Sequence, residues 1–409
     1  MNCPTEAVFP GLSQLLKYER FTRVDRALQG LFQKTLRTMK DGLPFVITGD
    51  IPAMWLRDST WQVRPLLHSH NSQVIDLLTQ LSKAQIKLFL IDPYANAFNP
   101  EPNGFCWHKD FPEQSPWVFE RKFELDSWAS ILYLARKIFE IYGVTEHLNT
   151  EFRTAFETML ALARKEQRHD PSTYIFRREN GVPHDSLSHG GQGAPTSYTG
   201  MVYSAFRPSD DSCKYGYLIP ANLFFANELR LLPLGDLRAA GSLLVQEITS
   251  GVNTFGITDG IYAYEVDGNG NQVFMDDANV PSLLSLPYLE ATSNDNPTYL
   301  KTREFLLSSK NPYFFAGSEA VGIGSQHTPP NFVWPIAIAM EALTSQSIST
   351  KQNALEILER TDAGTGFMHE SFNVNDSSSF TREWFSWSDM TYIELVLETG
   401  GYRYELPLP

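Results

Sequence analysis

The 409-residue sequence predicts an all-α protein, an (α/α)6 toroid in which about twelve helices form six hairpins that close into a ring. Two observations favour this fold class. Apolar residues recur at intervals of three and four along about twelve segments, as they do on the buried face of a helix. No low-complexity stretch, charge block or Gly/Ser-rich linker divides the chain, so we expect a single domain over residues 1–409.

The helical stripes are clearest in the first third of the chain. One runs over residues 24–39, and a second covers residues 74–88 behind the candidate caps Asn71 and Ser72. A third runs from Trp128 to Tyr142 behind Asp126 or Ser127. A short apolar stretch after Asp58 and less regular stripes complete the set, at residues 150–167, 219–231, 234–248, 280–292, 297–309, 333–345, 351–361 and 386–399.

Strand signals are sparse, but long irregular segments are prominent. One small β-hairpin is predicted, with strands at residues 262–266 and 272–274 around the turn DGNG. Loops of more than about 12–15 residues are uncommon unless they are functional. We therefore expect four long segments to meet at one end of the ring and build a pocket; they are residues 92–125, 176–216, 311–332 and 362–385.

Composition restricts the possible partners. The net charge of −14 disfavours nucleic acid and anionic membranes, which require clustered Lys and Arg. No segment approaches the roughly 18 apolar residues of a membrane span, and the N-terminal stretch MNCPTE lacks the basic and apolar parts of a signal peptide. The three cysteines, Cys3, Cys106 and Cys213, are widely spaced and suit a reducing compartment. We expect a cytoplasmic protein with an uncharged ligand, and the sequence leaves its oligomeric state open.

Tryptophan placement points to sugars. Sugars present apolar C–H faces and rings of hydroxyls, so their sites combine aromatic platforms with polar side chains. Any single tryptophan could instead be a core residue, but the set together favours a sugar pocket. Most of the eight lie beside charged or amide residues: Trp55, Trp61, Trp107, Trp117, Trp128, Trp334, Trp384 and Trp387.

Several carboxylic acids lie beside arginine and tryptophan. Asp58 follows Arg57 and Asp126 precedes Trp128, although each aspartate could simply cap a helix. Two further acids follow Arg207, and Glu383 lies between Arg382 and a tryptophan. Burial among aromatic rings lets one acid retain its proton, while an adjacent arginine keeps another ionised. Two such acids are what the hydrolysis of a glycosidic bond requires.

Other chemistries find no support in the sequence. The histidines and cysteines lack the spacing of zinc ligands. No phosphate-binding GxxxxGK[ST] loop and no GxSxG nucleophile turn occur. We therefore expect neither a metal nor a cofactor.

Four strings, in order along nearly the whole chain, resemble glycoside hydrolase family 125: GDIPAMWLRDS at 49–59, FRPSDD at 206–211, GSQHTP at 324–329 and REWFSW at 382–387. The resemblance implies an (α/α)6 fold and an exo-acting α-1,6-mannosidase that inverts the anomeric configuration without a metal. It implies Asp210 as the general acid and Glu383 as the general base. Asp211 is the alternative to Asp210, one residue out of register.

The substrate implied by the resemblance is a mannose-containing oligosaccharide. Two other functions stay open: a phosphorylase or sugar isomerase/epimerase on a related helical toroid, and a sugar-binding protein without catalysis. Phosphate dependence would identify a phosphorylase, and absence of turnover would identify a binding protein. The residues expected to contact the sugar are Trp55, Arg57, Asp58, Asp126, Asp211, His327, Glu370 and Arg382.

Overall fold

Helices follow the predicted apolar stripes along most of the chain. The computed structural model describes residues 3–170, 172–179 and 181–402, so the first two residues of the stretch MNCPTE lie outside the described residues. The α-helices in the described part are α1 (Thr5–Val8), α2 (Leu12–Leu15), α3 (Tyr18–Gly30), α4 (Leu56–Val63), α5 (Ser72–Ile91), α6 (Leu125–Tyr142), α7 (Thr150–Glu166), α8 (Ile219–Leu231), α9 (Gly235–Phe255), α10 (Pro297–Leu306), α11 (Pro335–Leu343), α12 (Ile348–Arg360) and α13 (Ser386–Thr399). A π-helical turn, Leu31–Thr35, extends α3, and 3₁₀ turns lie at Arg64–His68, Pro183–Asp185 and His189–Gly191.

Polar caps fix several of these helices where the sequence indicates. The Asn71 side chain accepts a hydrogen bond from the Gln73 amide at the start of α5. Asn149 and Ser347 cap α7 and α12 in the same way. Helix α6 ends at Gly143, whose φ of 69° is left-handed and suits a glycine.

Residues 280–292 do not form the predicted helix, and this expectation is wrong. They form buried turns, in which two prolines, Pro281 and Pro287, provide no N–H for a helical hydrogen bond. The amides of Leu283 and Leu284 donate instead to the Asp276 carboxylate, at 2.8 and 2.9 Å. The apolar stripe was therefore a correct sign of burial but an incorrect sign of helix.

The strand content exceeds the single predicted hairpin, so the chain is helix-rich rather than all-α. The predicted hairpin is present in part: Glu265 pairs with Val273, and a third strand joins on the other side, whereas Tyr262 pairs with Ile257 in a separate hairpin. Within the described residues, seven small sheets contain the strands β1 (Leu36–Thr38), β2 (Pro44–Val46), β3 (Met54–Trp55), β4 (Ala97–Phe98), β5 (Asp110–Phe111), β6 (Val118–Glu120), β7 (Arg177–Arg178), β8 (Tyr217–Leu218), β9 (Ile257–Thr258), β10 (Ile261–Tyr262), β11 (Glu265–Val266), β12 (Gln272–Val273), β13 (Phe314–Ala316), β14 (Val321–Ile323), β15 (Phe332–Val333), β16 (Ser371–Asn373) and β17 (Asp376–Thr381).

The helices divide into two groups by burial. Helices α4, α6, α8, α11 and α13 are buried over most of their surface, whereas α3, α5, α7, α9 and α12 bury one face. Among the first group, α4 packs on α6, α6 on α8, α11 on α13, and α13 back on α4. The second group packs outside them, with α5 on α6, α9 on α8 and α12 on α11. The contact between α13 and α4 joins segments that lie more than three hundred positions apart in the chain.

Candidate active site

A cavity of about 330 Å³ lies where α4, α11 and α13 begin. All four long irregular segments contribute to its wall, together with residues 48–58. Its lining combines aromatic rings with charged side chains, the mixture that a sugar ring requires. The lining residues are Thr48, Ile51, Trp55, Arg57, Asp58, Trp107, His108, Phe119, Glu120, Lys122, Arg178, Asp185, Pro208, Ser209, Asp210, Asn279, His327, Trp334, Glu370, Arg382, Phe385 and Trp387.

One buried guanidinium organises the floor of the cavity. Arg57, in the first turn of α4, donates a hydrogen bond to Glu124 and lies 3.3 Å from both Asp58 and Asp126. It also lies 3.5 Å from an oxygen of Asp210. A single cation therefore faces four carboxyl groups, and they cannot all be ionised at low cost in a buried site.

Asp210 enters the cavity from a tight turn. Its φ of 66° is left-handed, which is a strained conformation for a residue with a Cβ and is common at functional sites. The turn is fixed by Lys122, whose Nζ donates to the Asp210 carbonyl at 2.7 Å. One oxygen of the Asp210 side chain accepts from Nδ2 of Asn96 at 3.3 Å. Asp211 is fully buried, is not among the lining residues, and lies 3.4 Å from Nδ1 of His327.

Glu124 and Asp210, two of the four acids around Arg57, differ in the charge that their surroundings favour. Burial raises the pKa of the Glu124 carboxyl well above its usual range, and the neighbouring Asp210 adds to this, although Arg57 opposes it. Burial alone would raise the pKa of Asp210 as well, but Lys122, Arg57 and a hydrogen bond with Glu124 together hold it below its usual range. The directions of these two pKa shifts favour a proton on Glu124 and a negative charge on Asp210.

Three further groups have shifted pKa values for identifiable reasons. Burial raises the pKa of both Asp58 and Asp126 to about 6, although Arg57 opposes the shift. Burial would lower the pKa of His327, but its hydrogen bond and charge interaction with Asp211 raise it to about 9. His327 therefore carries a positive charge into the cavity at neutral pH.

The C-terminal side of the cavity is built around Arg382. Its φ of 43° is also left-handed. Its guanidinium forms an ion pair with Asp50, lies 3.3 Å from Glu370, and donates to the Thr48 carbonyl at 3.0 Å. Glu383, next in the chain, is exposed and is not among the lining residues, and its carbonyl accepts from Nδ1 of His369 at 2.8 Å.

The structure brings seven of the ten predicted site residues to the cavity: Trp55, Arg57, Asp58, Asp210, His327, Glu370 and Arg382. Asp126 and Asp211 are also expected to contact the sugar, but they are not among the residues that line the cavity, and this contact stays a prediction. Both are fully buried behind the wall, because one pairs with Arg57 and the other with His327. Neither Asp58 nor Asp126 is a helix cap, since α4 and α6 are preceded by Trp55 and Glu124 at the capping position.

Sequence reasoning missed the polar groups that surround Asp210. They are Asn96, Glu124 and Lys122, with Arg178 and Asp185 further out. A usable signal was the charged run Glu120-Arg121-Lys122 between two phenylalanines, because charges in an otherwise buried segment need partners. Nothing in the sequence pairs Asn96 with residues more than a hundred positions away.

No group of three or more His, Cys, Asp or Glu side chains in the described part of the chain is placed to hold a metal ion. No helix in that part is long and apolar enough to cross a membrane.

A helical fold around a sugar-sized cavity, lined by tryptophans and grouped carboxyls, is typical of glycoside hydrolases. The family model described as metal-independent α-mannosidase (GH125) matches residues 18–397. The chain therefore belongs to glycoside hydrolase family 125 and is an α-mannosidase of the metal-independent class.

The chain is also similar to individual proteins. A solved structure of a Streptococcus pneumoniae metal-independent α-mannosidase, in a non-productive complex with α-1,6-mannobiose, is 41% identical with a TM-score of 0.94, covering 98% of this chain and 100% of that one. The meiotically up-regulated gene 157 protein of Schizosaccharomyces pombe is 37% identical over 389 residues, 86% of this chain and 76% of that protein. A bacterial glucoamylase solved with acarbose is similar in fold alone, with a TM-score of 0.58, 10% identity, and coverage of 95% of this chain and 57% of that one.

Proposed function

We propose that this α-mannosidase removes terminal, non-reducing α-1,6-linked mannose from oligosaccharides with inversion of configuration. The observation that carries the proposal is Asp210, whose backbone is left-handed, whose carboxyl faces the cavity 3.5 Å from the Arg57 guanidinium, and whose carbonyl accepts from Lys122. The α-1,6-mannobiose bound to the 41% identical relative supports the linkage. A cavity of about 330 Å³ suits one sugar ring at the cleaved position, which supports exo action.

In this mechanism Asp210 protonates the leaving oxygen. The bond between that oxygen and the anomeric carbon breaks, and the oxygen keeps the bonding electrons. A water molecule on the opposite face adds to the carbon and gives its proton to the general base, so the product is β-mannose. Arg57, Asp58, His327, Glu370 and Arg382 surround the space left for the terminal sugar and can bond its hydroxyls.

The general base in the proposal is Glu383, as the family resemblance implies. Its exposed carboxylate follows Arg382, whose guanidinium reaches into the cavity. Glu370 is the other carboxylate on this side, and its contact with Arg382 suits it to hold a hydroxyl. An inverting pair requires about 6.5–9.5 Å between the carboxyl groups of Asp210 and Glu383, so that a water molecule fits between them and the sugar.

We also propose that the two groups of helices form the (α/α)6 toroid, with residues 280–292 in place of one inner helix, as a single catalytic domain. The contact between α13 and α4 supports closure of the ring. A cytoplasmic location is part of the same proposal, supported by three cysteines that are all free thiols.

A phosphorylase or an isomerase on the same kind of fold is the second candidate. A phosphate would have to compete for cations that already have carboxylate partners, such as Arg178 with Asp110 and Arg382 with Asp50. Hydrolysis is therefore favoured over phosphorolysis. A catalytically inactive sugar-binding protein would show no turnover at all.

Digestion of a panel of α-linked mannobioses, with the product anomers followed by NMR, tests the proposal. The 1,6-linked compound should be cleaved fastest, with β-mannose as the first product and no effect of added phosphate. Release of α-mannose, or a dependence on phosphate, would contradict it.

Two variants assign the base. Glu383→Gln should lower the rate at least about 100-fold on both mannobiose and an activated aryl mannoside, because with either substrate the base must take a proton from the attacking water. Glu370→Gln should mainly raise KM. If the two results are interchanged, the base is Glu370.

A further inference from the structure

We propose that Glu124 is a positioning residue that holds the proton with which Asp210 protonates the leaving sugar. The inference rests on the proposed function, because it concerns how the acid of that reaction becomes loaded. Asp210 must donate a proton, yet it lies beside two cations, Arg57 and Lys122, which favour its ionised form.

The contacts around Glu124 place its carboxyl against that of Asp210. Nδ2 of Asn96 lies 3.2 Å from Oε1 of Glu124 and 3.3 Å from Oδ1 of Asp210. The orientation of the Asn96 side chain is fixed, because its Oδ1 accepts from the backbone N–H of Lys122 at 3.0 Å. The other oxygen of Glu124 accepts from Arg57 and from Oγ of Ser127, at 3.1 Å for the hydroxyl.

Four carboxyl groups share Arg57 in a buried site, and this crowding favours a bound proton among them. Arg57 is the cation that contacts Glu124, and three other acids share it. Glu124 is fully buried, whereas Asp210 reaches the cavity. The titratable and charged groups that face Glu124 are Arg57 and Asp58 on α4, Asp126 on α6, Lys122 and Glu120 before it, Asp210 across the turn, and the thiol of Cys213 and hydroxyl of Tyr174.

The proton moves in two balanced steps. Glu124 passes its proton to a carboxylate oxygen of Asp210 and becomes the ion partner of Arg57. Asp210 then gives that proton to the glycosidic oxygen as the carbon–oxygen bond breaks. The pair regains one proton from solvent after the product leaves, and the base releases the proton that it took from water.

The test compares Glu124→Gln with Glu124→Asp and with Asp126→Asn. The glutamine variant keeps a polar side chain beside Asp210 but has no acidic proton, so activity on α-1,6-mannobiose should fall about 100-fold. Activity on an activated aryl mannoside, which needs little protonation, should fall by less than about tenfold. The alkaline limb of kcat/KM should move to lower pH by about one unit, because Asp210 would then titrate alone beside two cations.

The matched variants separate this role from a structural one. Asp126→Asn removes another carboxyl from the surroundings of Arg57. It should lower the activity on both substrates by the same factor, without moving the alkaline limb of kcat/KM. Glu124→Asp retains a carboxyl and should therefore recover part of the activity on α-1,6-mannobiose that the glutamine variant loses. Equal losses on both substrates in a folded Glu124→Gln protein, or an unmoved alkaline limb, would overturn the inference. Absence of turnover in the wild type would instead refute the proposed function.

A separate observation concerns the mouth of the cavity, and we infer from it that Trp107 binds a second sugar of the substrate, on the leaving-group side. Trp107 lines the cavity yet is 56% exposed. Its ring lies 5.6 Å from that of Phe119, which lies 5.4 Å from the buried ring of Trp55. The three rings form a continuous aromatic wall from the interior to the surface.

The segment that carries Trp107 is held in place. The Asn99 side chain donates to the Phe105 carbonyl at 2.9 Å and to the Pro116 carbonyl at 3.2 Å, closing the base of the segment. Phe119 is also close in sequence to Lys122, which bonds the Asp210 carbonyl, so this wall is on the side of the acid. The leaving sugar must lie on that side, and an exposed indole suits the apolar face of a pyranose.

The test is Trp107→Ala, with Phe111→Ala as the matched control. Phe111 is an exposed aromatic, at 44%, on the same segment but outside the cavity lining. Trp107→Ala should raise KM for α-1,6-mannotriose about tenfold, with kcat retained. Inhibition by methyl α-mannoside, which fills only the terminal position, should be unchanged. An unchanged KM for mannotriose, or an equal rise in Phe111→Ala, would overturn the inference.

Discussion

Arg57 neutralises several buried acids at once, so its loss should affect stability as well as turnover. From the sequence, Arg57→Ala is expected to weaken turnover without unfolding the protein. The structure adds four carboxyl partners, and a buried charge left without its partner costs about 3–5 kcal/mol. We therefore expect both activity and the free energy of unfolding to fall.

The pH dependence of that loss checks its cause. With the arginine present, burial already raises the pKa of Asp58 and Asp126 to about 6, so at pH 5 both are mostly protonated and need no cation. Urea unfolding at pH 5 and pH 8 should show a smaller difference between Arg57→Ala and the wild type at pH 5. Equal differences at the two pH values would show that packing, rather than charge, dominates.

His327 should set an alkaline limit on substrate binding. Its pKa is raised to about 9, so the imidazolium persists below that pH and is lost above it. KM for α-1,6-mannobiose should therefore rise about fivefold as the pH passes through 9, because a charged hydrogen bond is lost. In Asp211→Asn, which lacks the carboxylate that raises the pKa, the same rise should occur at lower pH. If the KM of the wild type stays constant up to pH 10, His327 does not contribute to substrate binding.

Cavity-lining residues could be predicted from the sequence where their neighbours in the chain were informative. Arg57, Asp58 and Arg382 were found because charge and tryptophan are adjacent in the chain. Asp126 has the same local pattern, but α6 turns its carboxyl toward Arg57 instead of the cavity. Glu124 was missed because its role comes from Asn96 and Asp210, which only the fold brings near.

At the scale of elements, burial was predicted better than backbone conformation. Residues 280–292 carry an apolar stripe and are buried, yet Asp276 competes with the helix for the amides of Leu283 and Leu284. The short strands were missed for a related reason. Two- and three-residue strands such as β3 and β4 carry no alternating pattern, and only their pairing partners define them.

Asp276 should therefore be a stability determinant of this irregular segment. Asp276→Ala leaves two buried amides without acceptors, and we expect a loss of about 2 kcal/mol in the free energy of unfolding by urea. Asp295→Ala, an exposed aspartate just before α10, should change stability by less than about 0.5 kcal/mol. Equal effects of the two variants would mean that the turns are held by apolar packing alone.

At the scale of the whole molecule, catalysis should need no divalent cation. Membership of a metal-independent family and the carboxyl–arginine chemistry of the cavity both lead to this expectation. Prolonged incubation with EDTA should leave kcat and KM for α-1,6-mannobiose unchanged. Activity that is lost to the chelator and restored by zinc or calcium would contradict the mechanism.

The contact between α13 and α4 has a consequence for biosynthesis. Arg57 faces Trp387 at 5.9 Å, and Arg382 bonds the Thr48 carbonyl, so the cavity joins residues more than three hundred positions apart. Contacts of such long sequence separation form late. In a nascent chain whose α13 has not yet left the ribosome, Arg57 and its acids therefore lack the ring of Trp387. Such a chain cannot act on glycans. The enzyme gains its activity only after α13 has left the ribosome.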